Sequence, residues 1–297
     1  MNVSEAVEAA TLEVAIQGEL GSNSHMAALA VLGELAEGAA RIVPCATAAD
    51  LFEWLVEETG GSTARRMAVL PIENSLHGAV FEHYDLLLEH AVRVTGETLL
   101  HIRHNVIAMP GVRLEEIRQV RSHPVALSQC RVWLRAHPEI EVMPFYDTAG
   151  SVKRLMAEGL REVAGIAPEL AARQYGANVI VPAIEDHAAN YTRFLVLVPA
   201  PAVASEGVAP DKVSVAFHLE HRPGTLLEAL EVFRDGGLNL TKIESRPVPG
   251  KPWEYVFFLD VRFDHLAQAE DALGLLRRRC LSLKEFGRYK AADRLEK

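Results

Sequence analysis

The 297-residue sequence has little cysteine: Cys45, Cys130 and Cys280 are an odd number at wide spacing, with no C-x-x-C pair. That excludes a disulfide framework and a zinc ribbon, and reduced thiols are expected. Concentrated basic charge is also missing, since 30 Lys and Arg face 40 Asp and Glu for a formal net charge of −10. A phosphate backbone demands clustered cations, so no nucleic acid partner is expected. A small anionic substrate stays open, because a few cations focused in a cleft outweigh the global charge locally. The segment Met1 to Glu13 carries Glu5, Glu8 and Glu13 but no Lys or Arg, unlike the basic start of a signal peptide, and a cytoplasmic chain is expected. The longest stretch free of Asp, Glu, Lys and Arg, Leu20 to Gly33, is too short and too polar to span a membrane, and no membrane partner is expected. The pairs His101/His104 and His218/His221 lack a carboxylate or Cys ligand set nearby, so they read as ordinary surface or loop histidines and no metal is expected. No G-x-S-x-G elbow, H-E-x-x-H helix or catalytic-thiol signature occurs.

What is present is ordinary globular composition, 49% hydrophobic and 24% charged, at a length that implies two or three domains. From residue 12 to 198, short Val- and Ile-rich runs alternate with helical patterns, which predicts a parallel or mixed sheet covered by helices. Strands are expected at Leu12–Gln17, Met67–Pro71, Asn105–Met109, Gln119–Ser122, Val142–Tyr146, Val163–Ile166, Asn178–Pro182 and Phe194–Val198. A Pro- and Ala-rich stretch between Val198 and Asp211 reads as a linker. Beyond it the pattern is strand Lys212–Leu219, helix Pro223–Asp235, strand Leu238–Arg246, strand Glu254–Arg262, helix Leu266–Arg278 and strand Leu281–Arg288, a βαββαβ order that fits a ferredoxin-like sandwich.

Four polar clusters are expected to follow a strand and open a helix, where free N–H groups and the helix dipole favour an anion. In the first, Gly18 to His25, Ser22 or Ser24 is placed to cap. The second, Pro71-Ile72-Glu73-Asn74-Ser75-Leu76-His77-Gly78, packs a carboxylate, an amide and a hydroxyl into three residues. Capping needs one of them, which leaves another for a ligand. In the third, Ser122-His123-Pro124, Pro stands at the first helical position, with Gln129 and Cys130 following. The fourth, Asp147-Thr148-Ala149-Gly150-Ser151, has Thr148 as the expected cap. For the third and fourth, capping and ligand contact are equally open, whereas the first, lacking a P-loop Lys and the full dinucleotide fingerprint, reads first as a structural turn. In Asn190-Tyr191-Thr192-Arg193-Phe194 a hydroxyl stands beside a guanidinium that suits a carboxylate, or an ion pair with Glu185 or Asp186.

In this order the clusters resemble the prephenate dehydratase family, whose pattern contains P-I-E-N-S, S-H-P with a later Q-C, and T-R-F; all three are unbroken here. The resemblance extends through Ala171 to Gly176, Asp186 and Asn190. Downstream, His221-Arg222-Pro223-Gly224-Thr225-Leu226 and Asn239 to Pro247, followed by Pro252-Trp253-Glu254-Tyr255, look like the two effector motifs of that family's ACT domain, with Thr225 where Ala is usual. The resemblance implies an α/β fold: a two-lobed, periplasmic-binding-protein-like (type II) catalytic domain over 11–198, a linker over 199–210 and a ferredoxin-like ACT domain over 211–290. It implies conversion of prephenate to phenylpyruvate by a lyase without a cofactor, in a homodimer or homotetramer with L-phenylalanine as effector.

By that resemblance Thr192, Asn74, Ser122 and Gln129 are catalytic. Glu73, Ser75, Arg193, Phe194, Thr148 and Ser24 are expected at the substrate, and Gly224, Thr225, Leu226, Asn239, Leu240, Glu244, Ser245, Arg246 and Pro247 at the effector. Arogenate dehydratase shares these motifs and is the alternative, and a non-catalytic amino-acid sensor is the alternative of another class. A fused chorismate mutase domain is not expected from the short segment before Leu12.

Overall fold

The computed structural model describes residues 12–33, 40–57, 65–201, 209–248, 250, 251 and 253–292. Residues 202–208 of the expected linker and Pro252 lie outside the described residues. The chain divides into two compact units, one reaching to His83 and including Thr98–Phe194, the other combining Tyr84–Glu97 with Leu195 onward.

The first sheet starts from β1 (Leu12–Gln17), whose Val14, Ala15 and Ile16 are fully buried. It continues through α1 (Asn23–Leu32), β2 (Ala40–Cys45), α2 (Ala48–Val56), β3 (Arg65–Asn74), β4 (Gly78–Ala79), α3 (Phe81–Glu89) and β5 (Val92–His101). The second sheet is built from β6 (Asn105–Ala108), β7 (Gln119–Ser122), α4 (Pro124–Ser128), α5 (Arg131–Ala136), β8 (Glu141–Pro144), α6 (Thr148–Glu158), β9 (Val163–Ala167), α7 (Glu169–Tyr175) and β10 (Asn178–Val181). The chain then returns to the first sheet as β11 (Tyr191–Pro199). The orders are β2-β1-β3-β11-β5, with β4 on β3, and β10-β6-β9-β7-β8. β1 runs parallel to β2 and β3, and β7 parallel to β8 and β9, while β6 pairs antiparallel with β9 and β10.

Two lobes follow from this path. The chain crosses between the sheets at residues 102–104 and returns at 182–190, and the two crossings are hydrogen-bonded side by side: Ile184 N donates to His104 O at 2.8 Å and Ile102 N to Asn190 O at 2.8 Å. Each lobe closes its own core, Val14, Ile16, Val69 and Phe194 in the first and Val106, Val120, Ala164 and Ile166 in the second. This is the two-lobed α/β arrangement expected.

In the second unit, β12 (Lys212–His218), α8 (Thr225–Asp235), β13 (Asn239–Pro247), β14 (Tyr255–Arg262), α9 (Leu266–Arg279) and β15 (Ser282–Tyr289) form an antiparallel sheet in the order β13-β14-β12-β15. Inward-facing Val213, Val215 and Phe217 meet Val232 and Phe233 of α8 and Leu273 and Leu276 of α9. This βαββαβ unit is the ferredoxin-like arrangement expected. Gly224, at φ 90°, turns the chain into α8 in the left-handed region that suits glycine.

Three local expectations are corrected. β2 and β5 were not anticipated, because Arg41 and Pro44 interrupt one apolar run and Arg93, Gly96 and Glu97 the other. β3 does not end at Pro71 to open a helix; it runs to Asn74 and turns back into β4 as a hairpin, with Glu73 opposite Ala79 and Asn74 opposite Gly78. The cap of α6 is Asp147, accepting from Gly150 N at 2.7 Å, and Thr148 is the first helical residue.

Candidate active site

The hairpin after β3 and the start of β11 clasp each other through the sequence pattern Glu73-Asn74-Ser75. Ser75 N donates to Tyr191 O at 2.8 Å, while Ser75 Oγ donates to Ala189 O at 3.3 Å and accepts from Tyr191 N at 3.0 Å. Glu73 lies 3.3 Å from Arg193, which is 8% exposed, so the guanidinium pairs with this carboxylate rather than with Glu185 or Asp186. Asp186 instead accepts from Arg131 N and Val132 N at the start of α5. His83 of α3 donates from Nδ1 to Pro71 O at 2.5 Å, and burial holds its pKa below the ordinary value.

Asn74 is the centre of the site, and its orientation is dictated by backbone donors. Its Oδ1 accepts from Leu76 N at 3.0 Å and His77 N at 3.1 Å, so its other end must be the amide NH2. That NH2 faces Asn190 Oδ1 at 2.8 Å, Thr192 Oγ1 at 3.0 Å and Tyr191 O at 3.1 Å. Asn190, fully buried, then has its own NH2 at the far end and donates to Gln129 Oε1 at 2.9 Å. Gln129 Nε2 in turn donates to His77 Nδ1 at 3.0 Å and back to Asn74 Oδ1 at 3.4 Å. His77 Nε2 passes the direction on to Ser128 Oγ at 3.0 Å, and Ser128 to Val125 O at 2.7 Å. Donors and acceptors thus agree around a closed ring of Asn74, Asn190 and Gln129.

Thr192 sits at the outlet of this ring. An amide NH2 has no lone pair, so Thr192 Oγ can only accept from Asn74, and the threonine hydrogen must be donated elsewhere. The half-buried side chain is therefore a hydroxyl held by its oxygen with its proton available.

The remaining expected residues fall into distinct places. Ser122 is fully buried and donates to Ile166 O at 2.5 Å, tying β7 to β9. His123, not Ser122, caps α4, accepting from Val125 N at 3.3 Å. Gln129 is the C-cap of the five-residue α4 and does not lie within a continuing helix. Phe194 is 1% exposed in the first lobe's core. Ser24 and Thr148 are buried in the first turns of α1 and α6, whose preceding loops meet: a Cβ on Gly18 would lie 2.6 Å from Asp147 Oδ2. Across that junction Glu19 accepts from Tyr146 OH at 2.9 Å and Lys153 Nζ at 2.8 Å. Burial, then the neighbouring Glu19, push Tyr146 up to about 12, and burial raises Asp147 above its ordinary value. Ser22 caps α1, with His25 N at 3.3 Å from its Oγ.

His104, His77 and Asn190 are the residues that sequence reasoning did not place in the site. His104 lies in a loop as expected but is 2% exposed rather than at the surface, and its Nε2 lies 2.8 Å from Gln129 Oε1. Asn190 carried a signal in its position two residues before Thr192; His104 carried none beyond its spacing to His101. Cys130 is fully buried and burial pushes its thiol pKa up, which removes it as a nucleophile. Among the described residues no group of three or more His, Cys, Asp or Glu is arranged to hold a metal, and no helix is long and apolar enough to cross a membrane.

In the second unit, Thr225 Oγ1 donates to Glu220 O and Arg222 O, both at 3.1 Å. A cleft beside it is lined by His221, Arg222, Thr225, Trp253, Glu254 and Tyr255. Leu226 and Leu240 pack against the core, whereas Asn239, Ser245 and Pro247 are exposed along the edge strand β13. Glu244 lies 4.0 Å from Lys242, and Arg246 is ion-paired with Asp85 of α3.

Two family models match successive parts of the chain. The family model described as prephenate dehydratase matches residues 14–202, and that of the ACT domain matches 213–274. Arogenate dehydratase 2 of Petunia hybrida is 38% identical over 303 residues, covering 96% of this chain and 73% of the relative. The crystal structure of prephenate dehydratase from Arthrobacter aurescens in complex with L-Phe has a TM-score of 0.81 at 31% identity, covering 94% of this chain and 89% of that one. A structure described as GqqA, a novel type of quorum quenching acylase, has a TM-score of 0.80 at 28% identity, covering 94% and 98%. With its model spanning well over half of the sequence, the family is shown, and this chain belongs to the prephenate dehydratase family.

Proposed function

We propose that this chain is a cytoplasmic carbon–oxygen lyase that converts prephenate to phenylpyruvate and works as a homodimer or homotetramer regulated by L-phenylalanine. In that reaction the bond between the ring and its carboxylate breaks, and the carboxylate leaves as carbon dioxide while the bonding electron pair stays with the ring. That pair shifts through the ring double bond and expels the para hydroxyl, which leaves as water once a proton is supplied. Aromatisation drives the step, and the elimination itself calls for no cofactor. The protein has to hold the dianion, orient it and stabilise the leaving oxygen.

The observation that carries this reading is the polarity of the hydrogen bond between Asn74 and Thr192. A hydroxyl that can only accept from its protein neighbour is set to donate to the departing oxygen, where negative charge develops. Threonine is a weak acid, so its contribution is a preorganised hydrogen bond, with the proton completed by water. Glu73, paired with Arg193, is the neighbouring carboxylate, and a substrate carboxylate reaching Arg193 must compete with it. Ser24 and Thr148, in the first turns of α1 and α6, are assigned to substrate, where backbone N–H groups favour anions. The effector is assigned to the motif around Thr225 and to β13, as the ACT family match supports.

The second reading, arogenate as preferred substrate, is favoured by the 38% identity to the Petunia hybrida relative. Incubating the protein separately with prephenate and arogenate, with and without phenylalanine, distinguishes the two through phenylpyruvate or phenylalanine as product. Binding of either substrate without any product overturns the enzymatic reading in favour of a sensor.

A further inference from the structure

His104 lies in the outgoing crossing between the two lobes, and Asn190 lies in the returning one, with the two crossings hydrogen-bonded together through Ile184 and Ile102. Both side chains converge on one atom, Gln129 Oε1, from 2.8 and 2.9 Å. That carbonyl oxygen has two lone pairs, and these two donors fill both. Since the ring's polarity makes this atom an acceptor, His104 must carry its hydrogen on Nε2. Its Nδ1 is then a bare acceptor, and among the described residues it is buried without a hydrogen-bond partner. A buried polar atom left unsatisfied is unfavourable, and here it accompanies the placement of Nε2 on Gln129. Burial also lowers the pKa of the imidazole, which favours the neutral ring.

We infer that His104, as the neutral Nε2–H tautomer, is a positioning residue for the elimination: it holds the Gln129 amide so that its NH2 faces Asn74 and His77 at the site. With His104 removed, one lone pair of Gln129 Oε1 is vacated and only Asn190 fixes that end of the amide. Asn74 keeps its own orientation from Leu76 N and His77 N, so the defect is confined to Gln129. The crossings therefore do more than connect the lobes; each contributes one donor that locks a side chain of the second lobe onto the hairpin of the first.

The inference rests on the dehydratase reading, and the tests separate the two. Nitrogen NMR of the protein labelled at histidine should show His104 neutral with its hydrogen on Nε2; an Nδ1–H tautomer or a cationic ring at neutral pH overturns the inference whatever the chain catalyses. In kinetics with prephenate, or with arogenate if that is the substrate consumed, His104→Leu should lower kcat about tenfold or more with KM changed by less than about threefold. His104→Gln, which returns an N–H donor near the Nε2 position, should recover most of that loss. In the Gln129→Leu background His104→Leu should cause no further loss of kcat, because the two act as one unit. Equal, additive losses in both backgrounds, or no rescue by His104→Gln, overturn the positioning role. A wild-type chain that forms neither product defeats the function while leaving the tautomer measurement to decide on His104.

Discussion

Replacing Thr192 by Val removes one hydroxyl while retaining a β-branched side chain of similar size. The structure separates the two consequences of that change. Asn74 Nδ2 has two hydrogens and three oxygens within reach, and without Thr192 it keeps Asn190 Oδ1 at 2.8 Å and Tyr191 O at 3.1 Å. No buried donor is stranded, so the stability loss should stay below about 1 kcal/mol. At this chain length that is a drop in Tm of a few degrees or less. Catalysis should suffer far more, since losing one preorganised donor to developing oxyanion charge typically costs about 10²–10³ in kcat, about 2.7–4 kcal/mol. The assay is product formation at saturating prephenate, run beside thermal unfolding of the same preparation. A kcat within about threefold of wild type would refute the hydroxyl's role as donor. A Tm fall large enough to account for the lost activity would refute the argument from spare acceptors.

Further outcomes are expected elsewhere. Gly18→Ala should lower Tm by an amount corresponding to roughly 1–3 kcal/mol, because φ is 92° and the new Cβ would meet Asp147 Oδ2 at 2.6 Å. Gly111→Ala, at φ 76° with no neighbour within 4 Å, should cost less; equal losses in thermal melts would count against the loop contact. Burial raises the folded pKa of Asp147, so its contribution to stability is fully present below the ordinary aspartate pKa and is lost as pH rises through the raised value. Asp147→Asn keeps a capping side chain and should therefore gain stability relative to wild type across that rise and then level off, as followed by chemical denaturation at a series of pH values; a flat difference would contradict the shift. Thr225→Ala, which removes one hydroxyl hydrogen shared between two carbonyls on a half-buried side chain, should leave Tm nearly unchanged and alter phenylalanine affinity severalfold in calorimetry. An unaltered isotherm would remove Thr225 from the effector site.

Much of this protein was determined by its sequence alone. The apolar run Leu12–Gln17 gave a strand at the predicted residues, because β-branched residues such as Val14 and Ile16, buried on a sheet, leave little choice locally. The βαββαβ order of the second unit followed from the same periodicity. The motifs around Asn74, Gln129 and Thr192 named the centre of the candidate site. Tertiary structure decided how those residues are used. A polar cluster after a strand reads the same whether it opens a helix or turns a hairpin, and the partners that select the hairpin lie more than 110 residues away, at Asn190 to Thr192. Burial of His104 likewise depends on two crossings distant in sequence coming side by side. Hydrogen-bond direction is a property of the whole ring: each amide is oriented by the one before it, back to two backbone donors at Leu76 and His77, and no single segment contains that information.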